Sequence, residues 1–371
     1  MVHPPDMTGN AMSHAPIQEF DIQSYGCIKQ ASFALSPLHA LIGPNDSGKS
    51  TTLRALRVLA ECVAYPSARD AQSQRFVPMF GPKTKLTVLY ADGLEVATHI
   101  RDNVDDIHVV FGRGKGPRWE AERSWQARGE LRMQNQVHQE GINCLASARE
   151  RITTATMVRF DPNALRRQAR QLLVAEPIQF LDETGMGLAS VYQAINSRDV
   201  DAFVAIRDKV KTLFPTVQNI LVPSVDGGAV VLQARLTDNT LVPAEAMSEG
   251  LLYFLGYVAL QYIAESKLFL VEEPENGLHP ARIAEVMSIL REISKTGQVV
   301  IATHSPLVVN ELQGHEVSIV TRDREKGTQV KLLKDVPGFE DAAKVYQPGE
   351  FWVSYCDGNQ EEPLLKGKLR P

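Results

Sequence analysis

The sequence predicts an α/β protein. Three observations carry that reading. A glycine-rich turn near residue 45 joins an apolar strand-like run to a helical segment, paired β-type segments follow, and short apolar runs then alternate with helix-length stretches up to about residue 321. Strands that alternate with helices imply a parallel sheet covered by crossover helices.

In chain order, residues 1–16 (MVHPPDMTGNAMSHAP) hold no basic stretch leading into an apolar run, so they read as a flexible tail and not as a secretory leader. LHALIG (38–43) is a short apolar run ending in glycine, as in a buried strand, and a helix is expected over about 50–63. KLTVLYA (85–91), LEVATHI (94–100) and DIHVVFG (106–112) are β-type segments parted by turn residues such as Asp92-Gly93. Residues 17–112 therefore form a first lobe with an antiparallel β subdomain.

Residues 113–215 are richer in arginine and helix formers and read as a mainly helical, basic insert. A second lobe, 216–335, holds a β pair (219–223 and 230–236), a helix at 248–264, a strand at 267–272, a helix at 280–294, and strands at 298–303 and about 317–321. Residues 336–371 are punctuated by glycine and proline and form a C-terminal extension to which little structure can be assigned.

The chain has 371 residues, 44% hydrophobic and 22% charged, which is enough apolar material for a buried core. Its net charge of −5 advertises no nucleic-acid or membrane partner overall. Charge is uneven, however, because residues 113–170 carry 12 Lys/Arg against 6 Asp/Glu. Arg113, Lys115, Arg118, Arg123, Arg128 and Arg132 surround Trp119 and Trp125, and Arg166, Arg167 and Arg170 form a second cluster. Such a mix can hold phosphates and stack on bases, or simply be a solvated face over two buried tryptophans. The four cysteines (Cys27, Cys62, Cys144, Cys356) form no CxxC pair, which fits a reducing compartment. The longest apolar stretch, LLYFLGYVALQYIA (251–264), contains Gln261 and is too short for a membrane span, so a buried helix and a cytoplasmic protein are expected.

Four motifs carry chemistry. GPNDSGKS followed by Thr51 fits the phosphate-binding loop pattern in its required strand–turn–helix setting. The loop Gly43, Pro44, Asn45, Asp46, Ser47 and Gly48 would wrap phosphate oxygens, with backbone N–H groups supplied by its residues other than proline. Lys49 would neutralise the β- and γ-phosphates, and Ser50 would give Mg²⁺ an oxygen. LFLVEEPENGLHP (268–280) is a strand ending in two carboxylates, where Glu272 could hold Mg²⁺ through water and Glu273 could orient or deprotonate an attacking water. A strand capped by solvated acids would look the same. THSP (303–306) puts His304 at the end of the next strand, within reach of a γ-phosphate if it is not merely structural. AMSEGLL (246–252) puts Ser248 and Gly250 at a helix start, which favours an anion but also serves as a plain N-cap. Ser248 lies 199 residues after Lys49, Glu272 24 after Ser248, and His304 31 after Glu273. Chance does not place four such motifs in this order, each at the end of a predicted element.

This set resembles the ABC-like ATPase clan that includes RecF, the SMC proteins and the OLD (overcoming lysogenization defect) family. There a Walker A loop, a signature, a Walker B strand and a switch histidine follow one another in the same order. GPNDSGKS, EEPENGLHP and THSP are most similar to the OLD/RecF-like AAA-family ATPases, and PLHALIGPNDSGKSTTLRAL and RFDPNALRR (159–167) share the similarity, which runs over about 17–321. The resemblance implies an α/β P-loop NTPase built as an ABC-type ATPase head, with a β-rich N-terminal subdomain and a mainly helical insert. It implies ATP and Mg²⁺ as cofactors, and Glu273 and His304 as catalytic groups. Ser248 and Gly250 would close on the γ-phosphate of ATP held by a second protomer in a head-to-tail homodimer or larger oligomer. Asn276 to His279 would occupy the D-loop.

The sequence also departs from the family. Asp46 stands where glycine is usual, Glu272 stands where transporters carry aspartate, and the signature is degenerate. The Q-loop glutamine could be Gln72, Gln74, Gln134 or Gln136. No long heptad segment interrupts the ATPase, and the 65 residues after Pro306 hold no DxD pair and little room for the Toprim nuclease domain of OLD proteins. Asp199-Val200-Asp201 reads as a helix start.

These features lead to the expectation of a Mg²⁺-dependent ATPase whose binding and hydrolysis of ATP switch an assembly in DNA-related or anti-phage defence processes. The alternative is an ATP-gated scaffold or sensor that restrains or releases a separately encoded effector such as a nuclease. A transporter subunit would carry a fuller signature and DEP in place of EEPEN, and a small-molecule kinase would leave the signature and the histidine without purpose.

Overall fold

A computed structural model describes residues 15–63, 80–100, 106–124, 132–133, 139–152, 155–263, 266–323 and 325–355. The chain divides into two compact units: one holds residues up to 157 with 266–273 and 294–371, the other 158–265 with 274–293. All four glutamines named for the Q-loop, together with Trp125, Arg128 and Cys356, lie outside the described residues.

The first unit opens with strands β1 (Ile17–Tyr25) and β2 (Ile28–Ala34), a hairpin turned at Gly26. Strand β1 buries Ile17, Phe20, Ile22 and Tyr25, a spacing that breaks strict alternation twice. Both breaks coincide with register shifts against the neighbouring strand, one between Ile17 and Glu19 and one between Gln23 and Tyr25. A bulge inserts one residue and returns the next apolar side chain to the core. The fully buried strand β3 (Leu38–Ile42) follows, and then α1 (Lys49–Val63), whose Leu53, Leu56, Leu59 and Ala60 face the core.

Next come β4 (Phe80–Tyr90), β5 (Leu94–Ile100), β6 (Asp106–Arg113), β7 (Arg118–Ser124) and β8 (Arg132–Met133). They complete a seven-stranded antiparallel sheet in the order β2-β1-β4-β5-β6-β7-β8. The sheet thus runs past Arg113, and helices take over from α2 (Gln139–Ile152). In RWEAERS, Ala121 is buried opposite Val109 and Trp119 stacks on Phe111, 6.4 Å between ring centroids, so two-residue periodicity outweighs the local abundance of charge. Strand β9 (Ala155–Val158) ends this stretch.

The second unit contains α3 (Pro162–Leu165), β10 (Ala169–Arg170), α4 (Leu188–Arg198) and α5 (Val200–Leu213). Asp199 ends α4 and caps α5 by accepting from Ala202 N–H at 2.9 Å, so the Asp-Val-Asp stretch is the helix start it was expected to be. The β pair resolves into several short strands: β11 (Val217–Leu221), β12 (Ser224–Val225), β13 (Ala229–Val230), β14 (Gln233–Leu236) and β15 (Leu241–Pro243). These form two three-stranded sheets, β10-β13-β12 and β11-β14-β15. Helix α6 (Glu249–Leu260) is buried from Leu251 onward, in keeping with its apolar sequence.

The first unit's second sheet has the order β19-β18-β3-β17-β16-β9. It adds β16 (Leu268–Glu272), and the second unit's α7 (Pro280–Ile293) then separates it from β17 (Gln298–Thr303) in sequence. Helix α8 (Pro306–Asn310), β18 (Val317–Asp323), β19 (Gly327–Leu332), α9 (Phe339–Ala342) and α10 (Pro348–Tyr355) complete the unit. Strands β16, β17, β3 and β18 are mutually parallel and β19 is antiparallel. Residues beyond 337 thus contribute two short helices, with Phe351 of α10 buried against Phe339. Buried Gln298 donates to the Ile17 and Ser36 carbonyls and accepts from Ile17 N–H, which ties β17 to the start of the chain.

Among the described residues no helix is long and apolar enough to cross a membrane. Cys27, Cys62 and Cys144 are free thiols.

Candidate active site

The parallel register decides what meets at the carboxyl edge of the sheet. Ile42 pairs with Thr303, and Ala302 pairs with Glu272, so β3, β17 and β16 end side by side. Neighbouring strands lie about 4.8 Å apart, which places Gly43, His304 and Glu273 on a front about 10 Å wide. Chain ends of parallel strands are where α/β sheets bind ligands.

The loop after β3 is shaped by what lies beneath it. A Cβ on Gly43 would stand 1.9 Å from the Val320 carbonyl oxygen, so only glycine fits there. Gly48 has φ 111°, and a Cβ there would press on Thr328 Oγ1 at 3.2 Å and Ile28 Cγ1 at 3.3 Å. Thr328 donates to the Ser47 carbonyl at 3.2 Å and so braces the loop from β19. No sequence signal could have found this residue, since it lies 281 positions from its partner. Asp46 adopts φ 63°, the left-handed region, which explains why glycine is usual at its position. Lys49 Nζ donates to the Gly43 and Pro44 carbonyls, both at 2.7 Å. Ser47 Oγ is buried with no hydrogen-bond partner among the described residues. A buried hydroxyl without a partner, a glycine-walled cradle and a lysine at its mouth together fit a phosphate.

At the end of β16, Glu272 is buried and Glu273 turns the chain with φ 49°. This left-handed residue supplies the turn that lets two adjacent carboxylates serve one edge, while its N–H stays bonded to the Ala302 carbonyl at 2.8 Å. A non-glycine residue here costs of order 1–3 kcal/mol, and such strain is typical of functional positions. Glu273 Oε1 lies 3.7 Å from His304 Nε2, with the two side chains 27% and 36% exposed. Thr303 Oγ1 accepts from Ser305 N–H at 2.9 Å and shapes the turn that presents His304. Ser50 begins α1 beside Lys49; its hydroxyl and the Glu272 carboxylate are hard oxygen donors of the kind Mg²⁺ takes.

Ser248 and Gly250 belong to the second unit. Ser248 caps α6 and accepts from Leu251 N–H at 3.4 Å, so the N-cap role is real. Gly250 is different, because a Cβ there would meet nothing nearer than the Gly277 carbonyl oxygen at 3.8 Å. Gly277, in the stretch implied to be the D-loop, has φ 68° and lies against Tyr253. The RFDPNALRR segment supports this helix: Phe160 packs edge-on against Tyr257, 5.0 Å between centroids, and Arg166 donates to the Met247 carbonyl at 3.4 Å. Several of the basic side chains singled out in the sequence are already paired. Arg113 meets Asp92 at 3.0 Å, Arg118 meets Glu95 at 2.9 Å, and Arg170 meets Glu176 at 2.7 Å.

Comparison with known proteins gives the family and the fold. A family described as "AAA domain, putative AbiEii toxin, Type IV TA system" (AAA_21) matches residues 38–93 and 158–310, more than half of the chain. An "OLD nuclease" of Thermus scotoductus is 20% identical over 352 residues, covering 86% of this chain. The chain spans 64% of that protein's length. An Smc head bound to the C-terminal winged-helix domain of ScpA superposes with a TM-score of 0.52 at 14% identity, over 85% of this chain and 97% of the other. An Smc head with an extended coiled coil, bound to the C-terminal domain of ScpA derived from Pyrococcus furiosus, gives 0.50 at 14% identity, over 89% and 98%. Both similarities concern the fold.

Proposed function

The chain belongs to the AAA_21 family as an ABC-type P-loop ATPase related to the OLD nucleases, and on that premise we propose that it is a Mg²⁺-dependent ATP hydrolase whose nucleotide cycle switches a head-to-tail dimer or larger assembly. The observation that carries this reading is the Glu273–His304 approach of 3.7 Å, on the same sheet edge as the phosphate loop.

In this reading Lys49 exchanges its two loop carbonyls for β- and γ-phosphate oxygens, and backbone N–H groups of the loop complete the cradle with Ser47 Oγ. Mg²⁺, held by Ser50 and through water by Glu272, would supply positive charge against the phosphates. Glu273 accepts a proton from water as its oxygen bonds to the γ-phosphorus and the bond to the β-phosphate oxygen breaks. His304 holds Glu273 on one side and the transferred phosphoryl on the other. Ser248 and Gly250 face the γ-phosphate of a second protomer's ATP. A role in DNA-related or defence processes is part of this proposal, and the 20% identity to an OLD nuclease is what supports it.

The test is a pair of substitutions. Lys49→Ala should lose ATP binding, while Glu273→Gln should bind ATP and turn it over at least 100-fold more slowly. Full turnover by Glu273→Gln would remove that residue from its role. A second reading, in which ATP gates a protein partner, draws on the two Smc heads, each bound to a ScpA domain. It expects a native-host partner whose association with Glu273→Gln depends on ATP.

A further inference from the structure

We propose that His99, His108 and Glu120 form a site for a divalent transition-metal ion, with Zn²⁺ the best match, that pins three adjacent strands of the seven-stranded sheet. The residues come from β5, β6 and β7. His99 stands directly opposite His108 in register, and Glu120 stands opposite Val110, one alternation along from His108. Side chains two apart share a face, so all three project from the same side of the sheet. Val96, Val109, Phe111 and Ala121 occupy the other side, in the core.

The three ligand atoms, one from each side chain, lie within 4.8 Å of one another. The imidazole rings are nearly parallel, 13° apart with centroids at 5.4 Å, and His108 Nδ1 is 2.6 Å from Glu120 Oε1. Two imidazoles and a carboxylate are the ligand set of zinc sites with three protein ligands, where bonds of about 2.0–2.2 Å put ligand atoms roughly 3.3 Å apart. To reach that spacing the histidine and glutamate atoms open by about 0.7 Å and the others close by about 1.5 Å at most, within ordinary side-chain rotation. With the ion bound, the neutral His108 ring carries its hydrogen on the nitrogen that does not face the metal. His108 is buried while His99 and Glu120 are half-buried, and a water would complete a tetrahedral site. Nitrogen and oxygen donors exclude the soft-metal preference of thiolates, and imidazole disfavours Mg²⁺ and Ca²⁺.

The test uses the full chain without an affinity tag, stripped with chelator and titrated with Zn²⁺ in the absence of nucleotide. One equivalent should bind, and His99→Asn and Glu120→Gln should each weaken it at least tenfold, with melting curves showing that both variants fold. Binding should persist in His304→Ala, which separates this ion from the nucleotide site. X-ray absorption of the zinc-loaded wild-type chain should show two imidazole ligands and no sulfur, a reading that does not depend on any variant folding. Absence of stoichiometric binding, binding unchanged in both folded variants, or a sulfur or single-imidazole signature would overturn the proposal.

Discussion

His304 Nε2 lies 3.7 Å from Glu273 Oε1, although the two residues follow strands that a whole helix separates in sequence and are presented by different turns. At that distance neither side chain acts independently. Glu273→Gln should cut turnover by 10²–10⁴-fold and His304→Ala by about tenfold or more. The double variant should be little slower than Glu273→Gln alone, because residues that act as a unit are not additive. Steady-state rates of the three proteins check this, and multiplicative losses would show that the pair is not a unit.

Asp46 carries two costs at once: a left-handed backbone at φ 63° and a negative charge on a loop shaped for phosphate. Asp46→Gly removes both, and Asp46→Ala removes only the charge. The glycine variant should be about 1 kcal/mol more stable than the alanine variant, which keeps the disfavoured conformation. Both should bind ATP more tightly than the wild type at low salt. Thermal melts and nucleotide titration of the two side by side separate the backbone effect from the charge effect.

The positions of the candidate residues were legible because each motif is local in sequence. The loop 43–51, the pair Glu272-Glu273 and His304 each mark the end of an apolar strand, and strand order alone brings those ends together. What was not legible depends on distant partners. Thr328 under Ser47 and Val320 under Gly43 lie in strands about 280 residues from the loop, with nothing in their own segments to mark them. The stretch from Arg113 looked helical by composition, yet Trp119 and Ala121 alternate with charges and extend the sheet through β7. The metal-ligating trio was hidden for the same reason, since its register pairing is a tertiary property.

His39, in the middle of β3, is fully buried and satisfied by Ser318 Oγ at 2.9 Å and Ser36 Oγ at 3.1 Å. Burial pushes its imidazole down to about 3; by smaller amounts, Glu316 raises it and His315 lowers it further. The unfolded chain then takes up a proton below about pH 6.5 that the folded chain refuses. Stability is therefore fully present above that pH and falls by up to roughly 1.4 kcal/mol per unit as pH drops from about 6.5 toward 3. Urea melts between pH 7 and 5, above the carboxylate range, should show this slope. His39→Asn, which keeps hydrogen-bonding capacity, should flatten it.

Gly43 and Gly250 make opposite predictions from the same chemical change. A methyl at Gly43 collides with the Val320 carbonyl at 1.9 Å, so Gly43→Ala should destabilise the fold and abolish ATP binding. A methyl at Gly250 meets nothing within 3.8 Å and lies at the first turn of a helix, so Gly250→Ala should leave the melting temperature unchanged or raise it slightly. The glycine then has no reason within its own unit. If its role is to let a second protomer's phosphate approach the α6 backbone, Gly250→Ala in the Glu273→Gln background should bind ATP normally yet fail to form the larger assembly. Solution mass with and without Mg·ATP checks this. An ATP-induced assembly that forms equally well in the double variant would place the contact elsewhere.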